Sequence, residues 1–350
     1  MRRGLLIFLI INALILTFLI RSVFTLLTLL FEDASADAIS HSELPAPNST
    51  LIDTRPQLIP KLIHQTYKTE TIPAHWREAQ QSCIDLHPDY EYILWTDAKC
   101  RDFIRDKYPW FLDTFDGYAY PIQRADAIRY FVLVHYGGVY IDLDDGCNRR
   151  LDPLLYYTAW VRRTKPTGIS NDAMGAVPQH PFFLRVIKSL QKYDRQWVLP
   201  YITIMYSTGP LFLSVVWKEW MGENSGRAAD WNGRVRVLMK PEYNQHPWSF
   251  FKHYRGSSWH REDAKLIFWM GRHWMLLTAL GFMFAGVVGM ALWWLYGTIL
   301  LLGSHRKSAM AGLNRGRKNS SSSPPRSRLS LWSWRSGNKQ QYELVQQREP

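Results

Sequence analysis

Apolar positions form continuous runs at both ends of the chain and broken, periodic runs between them. Residues 5–20 are uncharged, Arg21 interrupts, and residues 22–31 are apolar again, while residues 274–303 carry no charge at all. Crossing ~30 Å of hydrocarbon takes about 20 residues, so residues 274–303 are expected to span a membrane. Trp269 and Trp274 flank one end of that run and Trp293, Trp294 and Tyr296 stand towards the other, as an aromatic belt would. Its glycines, Gly281, Gly286, Gly289, Gly297 and Gly303, suit close approach of another helix. The first run follows Met1-Arg2-Arg3 and precedes Ala34-Ser35-Ala36, which resembles a cleavage site, but it is long for a signal peptide. It is read as an uncleaved anchor with Arg21 near an interface.

Between the two runs the period alternates. Residues 58–65 (LIPKLIHQ) read as a strand with Pro60 at its start. Residues 73–86 have helical spacing, with Trp76, Ala79 and Cys83 on one stripe; residues 90–95 alternate as a strand. Residues 98–108 are helical up to Pro109, and residues 122–136 form the strongest helical pattern, broken by Gly137-Gly138. Residues 139–144 then read as a strand. Strands separated by helices of this length predict an α/β domain, a mostly parallel sheet flanked by helices. That domain is bracketed by the two transmembrane helices. No internal repeat is found.

Charge changes the picture only at the ends. The chain of 350 residues has net charge +12, yet residues 304–350 alone hold ten Lys/Arg against two Glu. The body is close to neutral, which argues against nucleic-acid binding. The basic tail, with a Ser/Pro-rich stretch at residues 319–325, is expected to be disordered. By the positive-inside rule it lies in the cytosol, and Arg2 and Arg3 put the N-terminus there too, leaving the body lumenal. The sequon Asn48-Ser49-Thr50 fits that side. The expected division is an anchor over 1–31, a lumenal stem over 32–57, a catalytic domain over 58–265, a C-terminal transmembrane helix over 266–303 and a cytosolic tail over 304–350. Cys83, Cys100 and Cys147 are an odd number for an oxidising lumen. A Cys83–Cys100 bridge is compatible with the sequence, and no zinc-like spacing surrounds them.

The chemistry gathers at Val139-Tyr140-Ile141-Asp142-Leu143-Asp144-Asp145-Gly146. A strand's period of two turns Asp142 and Asp144 to the same face. Two carboxylates side by side repel unless a cation joins them, and oxygen ligands suit Mn²⁺ or Mg²⁺ with phosphate oxygens completing the shell. Upstream, Asp126 and Arg129 share one helical face, and the double glycine turns that helix directly into the carboxylate strand. Both pairs are therefore expected at one end of the sheet, where open α/β sheets bind ligands. Asp145 is either a supporting group or the turn residue before Gly146.

Asp126-x-x-Arg129 followed by Tyr136-Gly137-Gly138-Val139-Tyr140-x-Asp142-x-Asp144 resembles the signature of glycosyltransferases with a DXD sugar motif, retaining enzymes of the GT-A fold. Ile59-Pro60-Lys61-Leu62-Ile63-His64-Gln65-Thr66 and Trp95-Thr96-Asp97 match as well. The run from Tyr120 through Asp144-Asp145-Gly146-Cys147-Asn148-Arg149-Arg150-Leu151-Asp152-Pro153-Leu154 is similar to fungal inositol phosphorylceramide mannosyltransferases. The likeness covers residues 58–262, with Tyr67 departing from the Trp more usual there. It implies that Asp144 binds the metal directly, that Asp142 meets metal and ribose, and that Asp126 and Arg129 hold the donor sugar. It also implies that Trp95 stacks near the base. His253, in His253-Tyr254-Arg255-Gly256-Ser257-Ser258-Trp259, is similar to a late metal ligand. His64 is open between nucleotide contact and core, and Asn171-Asp172, expected in a loop, is where the resemblance implies acceptor or sugar contacts, Asn171 among them.

What the resemblance implies in sum is a retaining mannosyltransferase with GDP-mannose as donor and a divalent cation. The expected acceptor is inositol phosphorylceramide, in a Golgi membrane, with a possible regulatory membrane subunit. A protein-linked glycan is the alternative acceptor. A phosphatase with an aspartyl nucleophile would also use Asp142-Leu143-Asp144, but Gly146 stands where that class expects Thr or Val.

Overall fold

The computed structural model describes residues 2–46, 49, 55–164, 167–227, 231–244, 246–254 and 262–319. It divides into two units, Met1–Trp269 and Met270–Pro350. In chain order the elements are α1 (Arg2–Leu30), β1 (Leu62–Thr66), α2 (Ala74–Leu86), β2 (Glu91–Trp95), α3 (Asp97–Lys107), α4 (Leu112–Gly117), α5 (Pro121–Tyr136), β3 (Gly138–Ile141) and β4 (Asp145–Cys147). They continue with β5 (Ala159–Arg163), β6 (Ile169–Ala176), α6 (Pro181–Tyr193), α7 (Pro200–Ser207), α8 (Pro210–Glu223), β7 (Arg236–Leu238), α9 (Lys240–Tyr243), β8 (Phe251–His253), α10 (Glu262–Arg272) and α11 (Trp274–Asn319).

The first unit is mixed α/β. Its main sheet has the order β2-β1-β3-β6-β5-β7. β1 runs parallel to β2 and β3, β6 is antiparallel to β3 and β5, and β7 is parallel to β5. Only β6 is reversed, so the sheet is mainly parallel. β4 and β8 form a separate antiparallel pair in which Asp145 faces His253.

α5 is the spine. Pro121 opens it, where a missing N–H costs nothing, and the Tyr120 amide donates to the Gln123 side chain at 3.0 Å. Every residue from Asp126 to Val134 is buried, so the stripe of Ile128, Phe131 and Val132 becomes a fully enclosed helix. Phe111, Phe115 and Trp217 pack into the same core. The helix ends because Gly137 and Gly138 both take positive φ, 68° and 92°. A Cβ on Gly138 would sit 2.7 Å from Leu62 Cβ. The chain can reverse into β3 beside β1 only with glycine there.

Three expectations change. The stretch beyond Phe31 is not a free stem: the Ile39 amide donates to Val237 at 2.8 Å, Ala38 bridges Val237 in parallel, and Ile39 is buried. Arg234 holds Asp37 at 2.7 Å and Arg236 holds Glu43 at 2.8 Å. Residues 37–43 thereby cover the edge that β7 would otherwise leave open. The last turn of α1 also belongs to the body, since Leu29 is buried there and Lys218 pairs with Glu32. Finally, α11 does not end at residue 303 but runs to Asn319. The remainder of the basic tail, residues 320–350, lies outside the described residues, as do Asn48 and Thr50 of the sequon.

Trp274–Ile299, 26 residues, is long and apolar enough to cross a membrane. α1 meets that test only as two segments, Leu9–Arg21 and Phe24–Leu30, bent by 56° after the charge that interrupts the run. Among the described residues, therefore, one helix meets the test by itself and a second meets it only as this bent pair.

Candidate active site

β3 stops at Ile141, so Asp142, Leu143 and Asp144 form a turn rather than the end of a strand. The turn is pinned by its backbone: the Asp142 amide donates to the Asp172 carbonyl at 2.7 Å, and the Asp145 amide to the Asp142 carbonyl at 3.0 Å. Asp142 and Asp144 still open together into one cavity of about 650 Å³. The cavity lies outside the carboxyl ends of β2, β1 and β3, and its lining includes Thr66, Tyr67, Lys68, Trp76, Trp95, Asp97, Arg124, Arg129 and Ile204.

The two aspartates are held differently. Asp142 Oδ1 accepts from the Tyr140 hydroxyl at 2.7 Å, and Arg129 Nη1 stands 3.2 Å from the same oxygen. Burial pushes the Asp142 carboxyl up to about 8, the nearby charge of Asp144 adds to this, and Arg129 opposes it. Asp144 is raised to about 6, by burial first and then by the charge of Asp145. Carboxylates crowded in this way are stabilised as anions by a cation.

Asp144, Asp145 and His253 place ligand atoms within 4.8 Å of one another. His253 Nδ1 lies 2.9 Å from Asp145 Oδ1, and the Tyr243 hydroxyl donates to the other Asp145 oxygen. The bond between His253 and Asp145 is the main reason the imidazole is held above its ordinary range. Carboxylate and imidazole donors of this kind fit Mn²⁺ or Mg²⁺. Both oxygens of Asp145 are engaged by His253 and Tyr243, so it orients the imidazole beside Asp144, while Asp142 is turned towards Arg129 and Tyr140. Sequence reasoning left Asp145 between turn residue and support; its pairing with His253 depends on β8, more than a hundred residues further on.

Other expected contacts move inward. Asp126 is buried with both oxygens occupied: Asn171 Nδ2 donates to Oδ1 at 3.0 Å, Thr208 Oγ1 to Oδ2 at 3.1 Å, and Arg129 Nη2 lies 3.0 Å from Oδ1. It supports Arg129 and does not line the cavity. Asn171 sits in β6 and not in a loop, and its amide is also taken up by the Tyr130 hydroxyl at 3.1 Å. His64 is fully buried. Its Nε2–H donates to the Gly137 carbonyl at 2.8 Å, and its Nδ1 accepts from Trp95 Nε1 at 3.1 Å. Both nitrogens are engaged, so His64 clamps the glycine turn and is not placed for nucleotide contact. Trp95 does reach the cavity wall. Of the late His-Tyr-Arg-Gly element only His253 and Tyr254 are described, since residues 255–260 lie outside the described residues.

Cys83 pairs with Cys147, across 64 residues, and the bridge ties α2 to β4 next to the acidic cluster. Cys100 is free and buried, its thiol pushed up to about 12 by burial. The Cys83–Cys100 bridge is thus replaced: residues 83 and 147 are brought together by the packing of α2 on β4, a long-range contact with no local trace.

A helix-borne Arg–Asp pair, a glycine turn and an Asp-x-Asp turn at the strand ends define a glycosyltransferase of the DXD class. Residues 73–160 match the family described as a glycosyltransferase sugar-binding region containing a DXD motif. The chain is 56% identical over 273 residues to mannosyl phosphorylinositol ceramide synthase SUR1 of Saccharomyces cerevisiae, covering 78% of this chain and 69% of the relative. It is 55% identical over 287 residues to CSH1 of the same yeast, covering 81% and 76%. Inositol phosphoceramide mannosyltransferase 2 of Schizosaccharomyces pombe is 53% identical over 251 residues, covering 70% and 72%. The chain belongs to the family of inositol phosphoceramide mannosyltransferases.

Proposed function

We propose that the protein transfers mannose from GDP-mannose to inositol phosphoceramide, with retention at the anomeric carbon and on a GT-A-like scaffold. The observation that carries this reading is the Asp142–Asp144 turn opening on a cavity that Trp95 also lines, an indole for a base. Membership of the family supports both reaction and acceptor. Sequence resemblance supports the donor, Mn²⁺, a Golgi location with the body lumenal and both termini cytosolic, and a regulatory membrane subunit as partner. The apolar segment Trp274–Ile299 supports work at a membrane, where a lipid acceptor resides.

In this reading Asp144, with His253 oriented by Asp145, holds the divalent cation. When bound, the cation withdraws charge from the leaving diphosphate as the glycosidic bond breaks. Asp142, fixed by Arg129 and Tyr140, faces the ribose and sugar end of the donor. Arg129 lines the cavity and is kept in place from behind by Asp126 and the Asn171 carbonyl, which accepts from Nη1 at 2.7 Å. No proton donor to the leaving group is required, because diphosphate is a good leaving group once its charge is neutralised.

The test is transfer of labelled mannose from GDP-mannose to inositol phosphoceramide in membranes carrying the full chain, with Mn²⁺ and an Asp144→Ala control. Mannosylated lipid that vanishes with the variant supports the reading. Hydrolysis of donor without lipid product removes the acceptor, and absence of any metal-dependent turnover removes the transferase.

A further inference from the structure

The carboxyl ends of the strands set an order across the cavity. The sheet runs β2-β1-β3, and the metal-binding turn follows β3. A diphosphate seated at that turn must send its nucleoside towards the ends of β1 and β2, since the cavity extends that way along Thr66, Lys68, Trp95 and Asp97. Parallel strands lie about 4.8 Å apart, so the end of β2 stands two strand spacings from β3, on the side where the base must lie.

At that end the cavity holds an aromatic plane and one acid. Trp95 closes β2, with its indole N–H turned inward to His64, so what it offers the cavity is ring surface. Asp97, two residues on, begins α3 and lines the same wall. Thr96 already supplies the helix cap, its hydroxyl accepting from the Lys99 amide at 3.4 Å. The Asp97 carboxylate accepts no hydrogen bond and joins no ion pair among the described residues. Burial of part of its carboxyl raises Asp97 above its ordinary range, and the charges of Arg124 and Lys68 oppose that rise.

We propose that Asp97 reads the base of the donor nucleotide and selects guanine. Resting on the donor-binding reading above, this assigns the choice of base to one side chain. Guanine presents two adjacent donors, the ring imide N–H and the exocyclic amino group, and a carboxylate accepts both at once. Uracil presents a single N–H between two carbonyl oxygens, which a carboxylate repels. Adenine pairs its amino group with a ring acceptor and is mismatched in the same way. Specificity then comes from loss of a charge-assisted bond by the wrong base, together with repulsion of its lone pairs.

The experiment is competition of GDP, IDP and UDP, each with Mn²⁺, against labelled GDP-mannose on the full-length protein in membranes. IDP differs from GDP only by lacking the amino group. Wild type should bind GDP about ten- to a hundredfold more tightly than IDP, and more tightly still than UDP. Asp97→Asn should weaken GDP by at least about tenfold, bring GDP and IDP within about threefold, and tighten UDP, since the charge that repels the uracil carbonyls is gone and the amide can donate to one of them. Its turnover at saturating donor and its melting temperature should stay near wild type, separating lost recognition from a damaged helix start. A wild type that treats GDP and IDP alike overturns the proposal without any variant. So does an Asp97→Asn protein that keeps the wild-type ranking. A wild type that prefers UDP removes the donor assignment itself.

Discussion

Arg129 Nη1 lies 3.2 Å from Asp142 while Nη2 lies 3.0 Å from Asp126, so one buried guanidinium joins the middle of α5 to the end of β3. Its plane also rests over the Tyr140 ring, 4.7 Å from the centroid. A lysine in its place is still a cation but has no fork and no plane to stack. Arg129→Lys is expected to lose more than about 100-fold in transfer, because Asp142 is no longer held. It should also cost roughly 3 kcal/mol of stability, as breaking a buried pair does. Transfer assays and thermal melts check this; a lysine variant with near-normal values for both would show that the fork is not needed.

His64 gives the pH dependence a defined origin. Its imidazole is pushed down to about 4 by burial, partly offset by its bond to Gly137, against an ordinary 6.5. A folded value below the unfolded one leaves stability intact above about pH 6.5 and removes it as pH falls towards 4. The contribution amounts to about 3 kcal/mol across that window. His64→Gln can keep both hydrogen bonds but cannot take up the proton. It is expected to melt lower at pH 7 and to lose less than wild type between pH 7 and 4.5. Parallel melting curves for the two proteins over that range would exclude the assignment. His180, also lowered to about 4 by burial, supplies a background slope common to both.

The half of the sheet that holds the motif was legible because its signals are local. β1, β2, α2, α3 and α5 fall within a few residues of the periodic patterns, and the double glycine marks the turn that brings Arg129 to Asp142. What escaped depends on contacts distant in sequence. Asn171 and Asp172 read as loop residues because β6 gains its meaning from pairing with β3 and β5. Residues 37–43 read as linker because nothing local shows that Val237 will present an open strand edge to them. Asp126 was expected at the ligand because motif residues cluster there, and His64 was open between ligand and core. Their burial shows that part of the motif builds the site from behind.

The Cys83–Cys147 bridge fixes α2 against β4, beside Asp145. Closing a loop of 64 residues removes unfolded-state entropy worth about 4 kcal/mol. Replacing both cysteines by serine is therefore expected to lower the melting temperature markedly and to raise the Mn²⁺ requirement, whereas Cys100→Ser should do neither to the same degree. Mass-spectrometric mapping of the oxidised protein should recover a peptide joining Cys83 to Cys147. A Cys83–Cys100 peptide in its place would contradict the fold around β4.

Asp142 and Asp145 can be told apart by how each depends on the metal. Asp145 receives His253 Nδ1 at 2.9 Å and a proton-bearing oxygen from Tyr243, which leaves the other ring nitrogen of His253 for a cation and fixes the direction in which it points. A partner of this kind tunes metal affinity by about 10- to 100-fold when removed. Asp145→Asn is accordingly expected to raise the Mn²⁺ concentration for half-maximal transfer by at least about tenfold, with turnover largely restored at saturating Mn²⁺. His253→Ala should do the same, and chelation with EDTA should abolish transfer in all forms. Asp142→Asn should behave otherwise: its carboxylate is committed to Arg129 and Tyr140, so added Mn²⁺ should not rescue the lost turnover. Mn²⁺ titrations of the variants decide it. An unchanged requirement in Asp145→Asn, with rescue of Asp142→Asn by excess metal, would place the cation between Asp142 and Asp144 and return Asp145 to a turn residue.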